Sequence, residues 1–263
     1  MPSIENRLWR FHGVAPTAWL AFVYLYLPIV ILVVLSFNAN KVATLWTGFS
    51  FDWYLRVLEN DNILRATRNS LVVATGATVV STFFATLAAL AMASGPFRGK
   101  GVMNAMLGLP LLVPEIVTAV ASLLFFLALG LELGLTTVLI AHIVFCLPFA
   151  YLPIRARLEG LDPRLAEAAA DLYASRWQSF RRVTLPLILP GVVSGAMLAF
   201  IVSLDDFVIT FFVAGAGATT LPVYIFGLIR MGITPEVNAI SALLLMVSIA
   251  FVVLSYRVGR RPS

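Results

Sequence analysis

Six long apolar stretches dominate this chain, and they leave few ways for it to fold. Gly13 to Asn40 runs for 28 residues without a charged side chain, and Asn69 to Phe97 for 29. Leu133 to Ile154, Val183 to Leu204 and Val237 to Tyr256 give 22, 22 and 20. The sixth, Gly101 to Leu131, is interrupted only by Glu115. A helix needs roughly 20 apolar residues to cross the hydrocarbon core of a bilayer, so each stretch is long enough. With 60% hydrophobic and 12% charged residues, the chain carries about half the charge of an ordinary soluble domain. The reading is an all-α membrane protein with six transmembrane helices. The spans fall at about 14–37, 69–93, 102–130, 133–154, 186–213 and 237–256, in one transmembrane domain over 1–263.

A seventh charge-free run, Phe207 to Ile229, is rejected as a span because Gly215, Gly217 and Pro222 divide it into pieces too short to cross. Charge supports the same count. Six spans put the N-terminus, the 94–101 link, the 155–185 loop and the tail on one side. That side holds 13 of the 18 basic residues, among them Arg7, Arg10, Arg98, Lys100, Arg155, Arg157 and Arg257. Basic residues in short loops stay cytoplasmic, so both termini are expected inside. The net charge of +5 then reports orientation and contact with anionic lipid, not nucleic acid. The first span follows Arg7 and Arg10 as a signal peptide would. Its apolar run is too long for one and no small-residue cleavage site follows, so it is read as retained.

Two small-residue stripes predict close helix approach, the means by which helices associate in lipid. Ala77, Ser81, Ala85, Ala89 and Ala93 share one face of the second span, and Gly191, Gly195, Ala199 and Ser203 one face of the fifth. They serve packing within the chain or face a second subunit, and the sequence leaves both open.

Several chemical signals fail. Gly95 to Lys100 is one residue short of a phosphate-binding loop, and Gly101 stands where a Ser or Thr would hold magnesium. His142 and Cys146 are one helical turn apart, but His12 is far away and two ligands close no metal site. They are read as packing, and no metal is expected. Cys146 is the only cysteine, so no disulfide forms within the chain. No nucleophile motif or acid–base pair appears. The chain is read as non-catalytic and without a cofactor; any ATP must be bound by another chain.

The basic loop 155–185 reads as two short helices. Asp162 is the expected N-cap of the first, with Pro163 at its first helical position. Ala166, Ala168, Ala169 and Ala170 favour helix and add almost no bulk. Ser175 and Gln178 have capping-box spacing and start the second, which is expected to end near Thr184, before Pro186.

Glu167-Ala168-Ala169, then Asp171-Leu172, Ala174-Ser175 and Leu185-Pro186, resemble the EAA loop of permease subunits in bacterial ATP-binding-cassette importers. The resemblance implies a type I (MetI-like) permease fold in the inner membrane. It also implies a coupling helix over Glu167, Ala168, Ala169, Asp171, Leu172, Tyr173 and Ala174 that docks in an ATPase cleft. Tyr173 departs from the family, which usually has glycine there. Tyrosine tolerates a positive φ poorly, so either the bend is ordinary here or the cleft admits the ring.

Glu115, Asp205 and Asp206 interrupt apolar stretches. Acids at that depth are costly and face a cavity or partner, so the three are candidates for a path taken by a cation. Equally, they cap helix breaks or bond to nearby backbone. Asp205 and Asp206 are expected on one helix, about 100° apart, and Glu115 near the middle of the third span. Ser203 to Ile209, Ala218 to Tyr224 and Arg230 to Ala239 resemble the permeases of spermidine and putrescine importers, the second of the two most closely. That implies a second permease, two ATPases and a periplasmic binding protein as partners. Relatives for ferric iron, thiamine or phosphonate share much of this pattern. An ion channel or ion-coupled carrier could use buried acids too, but would not need the docking loop.

Overall fold

A computed structural model describes residues 14–40, 45–162, 164–232 and 234–259. Arg7, Arg10, His12 and Pro163 lie outside the described residues. Among the described residues all regular structure is helical, apart from one antiparallel bridge between Asn38 and Phe49. In chain order the helices are α1 (Val14–Leu35), α2 (Asp52–Glu59), α3 (Asp61–Ala93), α4 (Lys100–Leu112), α5 (Glu115–Ala128), α6 (Leu135–Glu159), α7 (Arg164–Asp171) and α8 (Arg176–Ser179). A π-helical turn over Phe180–Thr184 then leads into α9 (Leu185–Asp205), followed by α10 (Val208–Val213), α11 (Leu221–Met231) and α12 (Pro235–Gly259).

Five of these are long and apolar enough to cross a bilayer: α1, α3, α6, the continuous helix from Arg176 to Asp205, and α12. The pair α4 and α5, taken as one span, brings the number to six. Between Phe207 and Ile229 lie only α10 and α11, of 6 and 11 residues, so no seventh crossing forms there.

Several boundaries differ from the sequence reading. Helix α3 starts at Asp61 rather than near 69 and runs for 33 residues, which is about 50 Å at the α-helical rise. Charge-free length measures only the part in hydrocarbon, and the helix continues past it. There Arg65 Nη2 donates to Asn62 Oδ1 at 2.7 Å on the same face. The third span is not one rod, because α4 and α5 meet at a 112° bend. Val113 precedes a proline and is extended (φ −80°, ψ 132°), as is Pro114; the proline ring disfavours helix at the residue before it. The helix after the capping box does not stop before Pro186. It runs on into the fifth span, because the π turn lets Leu185 N–H reach Phe180 O, one residue beyond the α-helical partner. Pro186 follows directly, and the widened turn before it accommodates the N–H that it lacks. At its other end this span stops at Asp205 rather than at 213.

The chain divides into two compact units, residues 1–60 with 227–246 and residues 61–226 with 247–263. In the first, the turn after α1 is built on Asn38. Its Nδ2 donates to Leu45 O at 2.8 Å, its Oδ1 accepts from Asn40 and Thr47 N–H, and its own carbonyl accepts from Trp53 Nε1. Phe37 stacks on Phe49 with centroids 5.1 Å apart.

The second unit is organised around α3, α6 and α9, which pack on one another. Both small-residue stripes lie at these contacts. Ala77, Ser81, Ala85 and Ala89 are buried, and so are Gly191, Gly195, Ala199 and Ser203; only Ala93 is exposed. A Cβ on Gly195 would collide with the Ala150 carbonyl, and one on Gly191 would sit 2.7 Å from Arg157 Cβ. The stripes therefore serve packing within the chain.

Candidate functional site

Two regions concentrate polar chemistry, the loop after α6 and the break between α9 and α10. In the loop, Asp162 Oδ1 accepts Arg164 N–H at 3.0 Å, as an N-cap does. At the other end of α7, Ala174 N–H donates to Ala169 O at 3.0 Å and Tyr173 N–H to Ala170 O at 2.9 Å. That pair of bonds is a Schellman motif, which requires a left-handed residue at the position of Tyr173. Tyr173 supplies it, at φ 57°. The bend is thus the one a glycine would make, although a side chain with a Cβ costs on the order of 1–2 kcal/mol there.

Helix α8 then opens on the capping box, with Gln178 N–H donating to Ser175 Oγ at 3.3 Å and Ser175 N–H to Gln178 Oε1 at 2.9 Å. Because α7 folds back on α8 and the π turn, Ala169 is buried while Glu167, Ala168 and Asp171 are exposed. Ala169 is therefore part of the loop's own packing rather than its outer face. Leu172 is 81% exposed and Tyr173 98%. Beside them a groove of about 580 Å³ runs between Leu165, Ala168, Gln178 and Arg182. The loop is tied to the spans by Arg157, whose Nε donates to Leu187 O at 2.9 Å, and by Arg155, which pairs with Glu159 at 2.7 Å and reaches Asn104 at 3.3 Å.

At the second region α9 ends at Asp205, and Asp206 is already extended (φ −62°, ψ 127°). The two acids are not on one helix. Asp205 is exposed on the chain's surface, whereas Asp206 is buried. Asp206 caps α10: its Oδ1 accepts Ile209 N–H at 3.2 Å, and its Oδ2 accepts Thr210 N–H at 3.0 Å and Thr210 Oγ1 at 2.9 Å. His142 Nε2 lies 3.0 Å from the same Oδ2 and 2.9 Å from Thr210 Oγ1, while its Nδ1 meets Ser203 Oγ at 2.8 Å. His142, Ser203 and Thr210 are all buried.

Glu115 is not in the middle of a helix either. It opens α5 directly after the Pro114 break, half-buried and near Asp206. Asp206 thus caps a helix break, one of the two readings its sequence position left open, and Glu115 stands at the first residue of a helix.

His142 does more than pack. It is buried, but it is also the node that joins α6, α9 and α10. Its only sequence signal is a polar ring in a charge-free span. Nothing in the linear order points to Ser203 or Thr210, 61 and 68 residues away. Cys146, one turn along, donates to Ala199 O at 3.5 Å. Among the described residues no group of three His, Cys, Asp or Glu side chains is placed to hold a metal ion.

Residues 81–261 match the family of binding-protein-dependent transport system inner membrane components. The chain is 42% identical over 243 residues to the spermidine/putrescine transport system permease protein PotC of Haemophilus influenzae, covering 92% of this chain and 95% of that one. It is 40% identical over 233 residues to the putrescine transport system permease protein PotI of Escherichia coli K12, covering 86% and 83%. Among solved structures it resembles a chain of a bacterial ABC transporter that imports the acidic polysaccharide alginate. The TM-score there is 0.75 at 18% identity, over 99% of this chain and 98% of that one. It also resembles a chain of the MetNI methionine ABC transporter, with a TM-score of 0.60 at 20% identity over 76% and 98%. At such identities these two likenesses speak for the fold alone, the six-helix MetI-like architecture.

Proposed function

Given that this chain belongs to the family of binding-protein-dependent transport system inner membrane components, we propose that it is the translocation-pathway subunit of an ATP-driven importer of a polyamine, spermidine or putrescine. One observation carries the choice of substrate: relatives about 40% identical along nearly the whole chain are permeases named for spermidine and putrescine. Residues 1–263 act as one permease domain in the inner membrane of a bacterium, with both termini in the cytoplasm. The chain catalyses nothing and holds no cofactor. A second permease pairs with it, a periplasmic binding protein delivers the polyamine, and two separate ATPase subunits bind and hydrolyse ATP.

In this reading Glu167, Ala168, Asp171, Leu172, Tyr173 and Ala174 form the docking surface for an ATPase, with Ala169 supporting it from beneath. Closure of the ATPase pair pulls on the loop. Because α8, the π turn and α9 are continuous, the pull reaches the membrane as rigid-body motion of α9 and the helices packed on it. Of the three intramembrane acids, Asp205 is assigned to meet the cation. Asp206 and Glu115 hold the breaks at which α10 and α5 begin, and so shape the path rather than bind in it.

The experiment is uptake of labelled spermidine into vesicles carrying the full complex. ATP-dependent uptake should be suppressed by excess putrescine and left unchanged by thiamine, a phosphonate or chelated ferric iron. Suppression by one of those solutes and not by putrescine would move the chain to another branch of the family. Uptake that persists without the ATPase would instead indicate a channel or carrier.

A further inference from the structure

We infer that Tyr173 selects the ATPase with which this permease couples, by presenting its ring as a knob to an apolar hollow flanked by carboxylates on the side that meets α8. The inference rests on the docking role proposed for the loop and adds to it a requirement of shape and charge. At φ 57° the backbone of Tyr173 is one that a residue with a Cβ adopts only at a cost. Glycine or asparagine would make the same bend with less strain. The ring adds nothing to the fold of this chain, since Tyr173 is 98% exposed. Leu172 before it and Trp177 after it are exposed as well, at 81% and 65%. A strained backbone that leaves the Tyr173 ring off the surface beside Leu172 and Trp177 is intelligible when a partner covers them, because aromatic side chains in a desolvated pocket dominate binding.

Charge says which kind of partner. The exposed charges of the loop are divided about Tyr173: Glu167 and Asp171 precede it on α7, whereas Arg176, Arg181 and Arg182 follow it with no acid as far as Leu185. The matching surface is therefore apolar where Tyr173 and Leu172 enter and acidic on the side that meets α8 and the π turn. An anionic membrane surface would also attract arginine and aromatic rings, and the test separates the two.

Four variants of the permease are compared in the full heteromeric complex: Tyr173→Phe, Tyr173→Asn, Tyr173→Gly and Ala168→Trp. Asparagine and glycine keep the left-handed bend and remove the ring, so the loop still folds. Affinity for the ATPase is titrated on nanodisc-embedded permease at two contents of anionic lipid, and ATP-dependent uptake is measured in parallel. Tyr173→Phe should bind within about twofold of the parent, while Tyr173→Asn and Tyr173→Gly should each weaken binding by about tenfold, as truncation of an aromatic anchor does. Uptake should fall with binding. The inference is overturned if Asn and Gly at 173 bind the ATPase as tightly as tyrosine. It is overturned too if their only effect is on the response to anionic lipid, which would assign the ring to the membrane. Ala168→Trp puts bulk on the exposed face of α7 and should abolish binding. If it binds normally the docking role itself fails, whereas loss with Ala168→Trp beside normal binding of Tyr173→Asn removes only the knob.

Discussion

Between Asp205 and Asp206 the backbone leaves the helix, and that change of direction separates two otherwise identical side chains. Asp206 turns inward, where His142, Thr210 and two backbone N–H groups converge on its carboxylate. A buried carboxylate is tolerable when donors surround it, and removing one member of the network leaves buried polar groups unsatisfied at about 1–3 kcal/mol each. Asp206→Ala should therefore lower the unfolding temperature of the purified permease markedly, and His142→Ala should do the same. Asp205 is exposed, so Asp205→Asn should leave that temperature within the range of ordinary surface changes, about 0.5 kcal/mol, yet reduce spermidine uptake severalfold. Normal uptake with Asp205→Asn would remove this acid from the path. The sequence showed that acids occupy this depth. It did not show which one was free, because that depends on a histidine 64 positions away in the chain.

At the level of elements, proline acts in three different ways. Pro114 sits at a break and sends α4 and α5 off at 112°. Pro186 is absorbed by the widened π turn, so α8 and α9 remain one helix. Pro148 and Pro153 lie inside α6 without ending it. From composition alone each proline is a possible stop, and only the availability of alternative backbone partners decides whether the helix continues. The small-residue stripes were more legible, since spacing of four residues puts them on one face whatever they meet. What they meet is set by the fold. Gly195 touches the Ala150 carbonyl so closely that a Cβ cannot be inserted. Gly195→Leu should thus force α9 away from α6 and destabilise the chain by about 1–3 kcal/mol or more, read as a lower unfolding temperature. Ala93→Leu, at the exposed end of the other stripe, should change it little.

Over the whole molecule, the argument from charge gives an orientation that labelling can check. In a Cys146→Ser background, with the buried thiol removed, a cysteine at Ser175 should react with a membrane-impermeant maleimide only after the cells are opened. A cysteine at Thr47, in the link between α1 and α2, should react from outside in intact cells. The opposite pattern would invert the topology, and reaction of both from one side would change the number of crossings. The same experiment tests whether α4 and α5 together cross the membrane, since a pair that returned to its starting side would reverse the sides of everything after it.

The sequence by itself determined that this chain crosses a membrane several times, how long each crossing can be, and where the capped loop with its Glu167-Ala168-Ala169 core would lie. Those properties follow from local chemistry: apolar length, the distribution of arginine, and side chains that bond to backbone within three or four residues. The tertiary structure decided that Tyr173 holds a left-handed bend, that Ala169 faces inward, that Asp206 is consumed by His142 and the start of α10, and that both small-residue stripes are used inside the chain. The bend at Tyr173 is closed by backbone bonds within its own loop; each of the others depends on which groups lie across the packed interface, and no local pattern of residues encodes that.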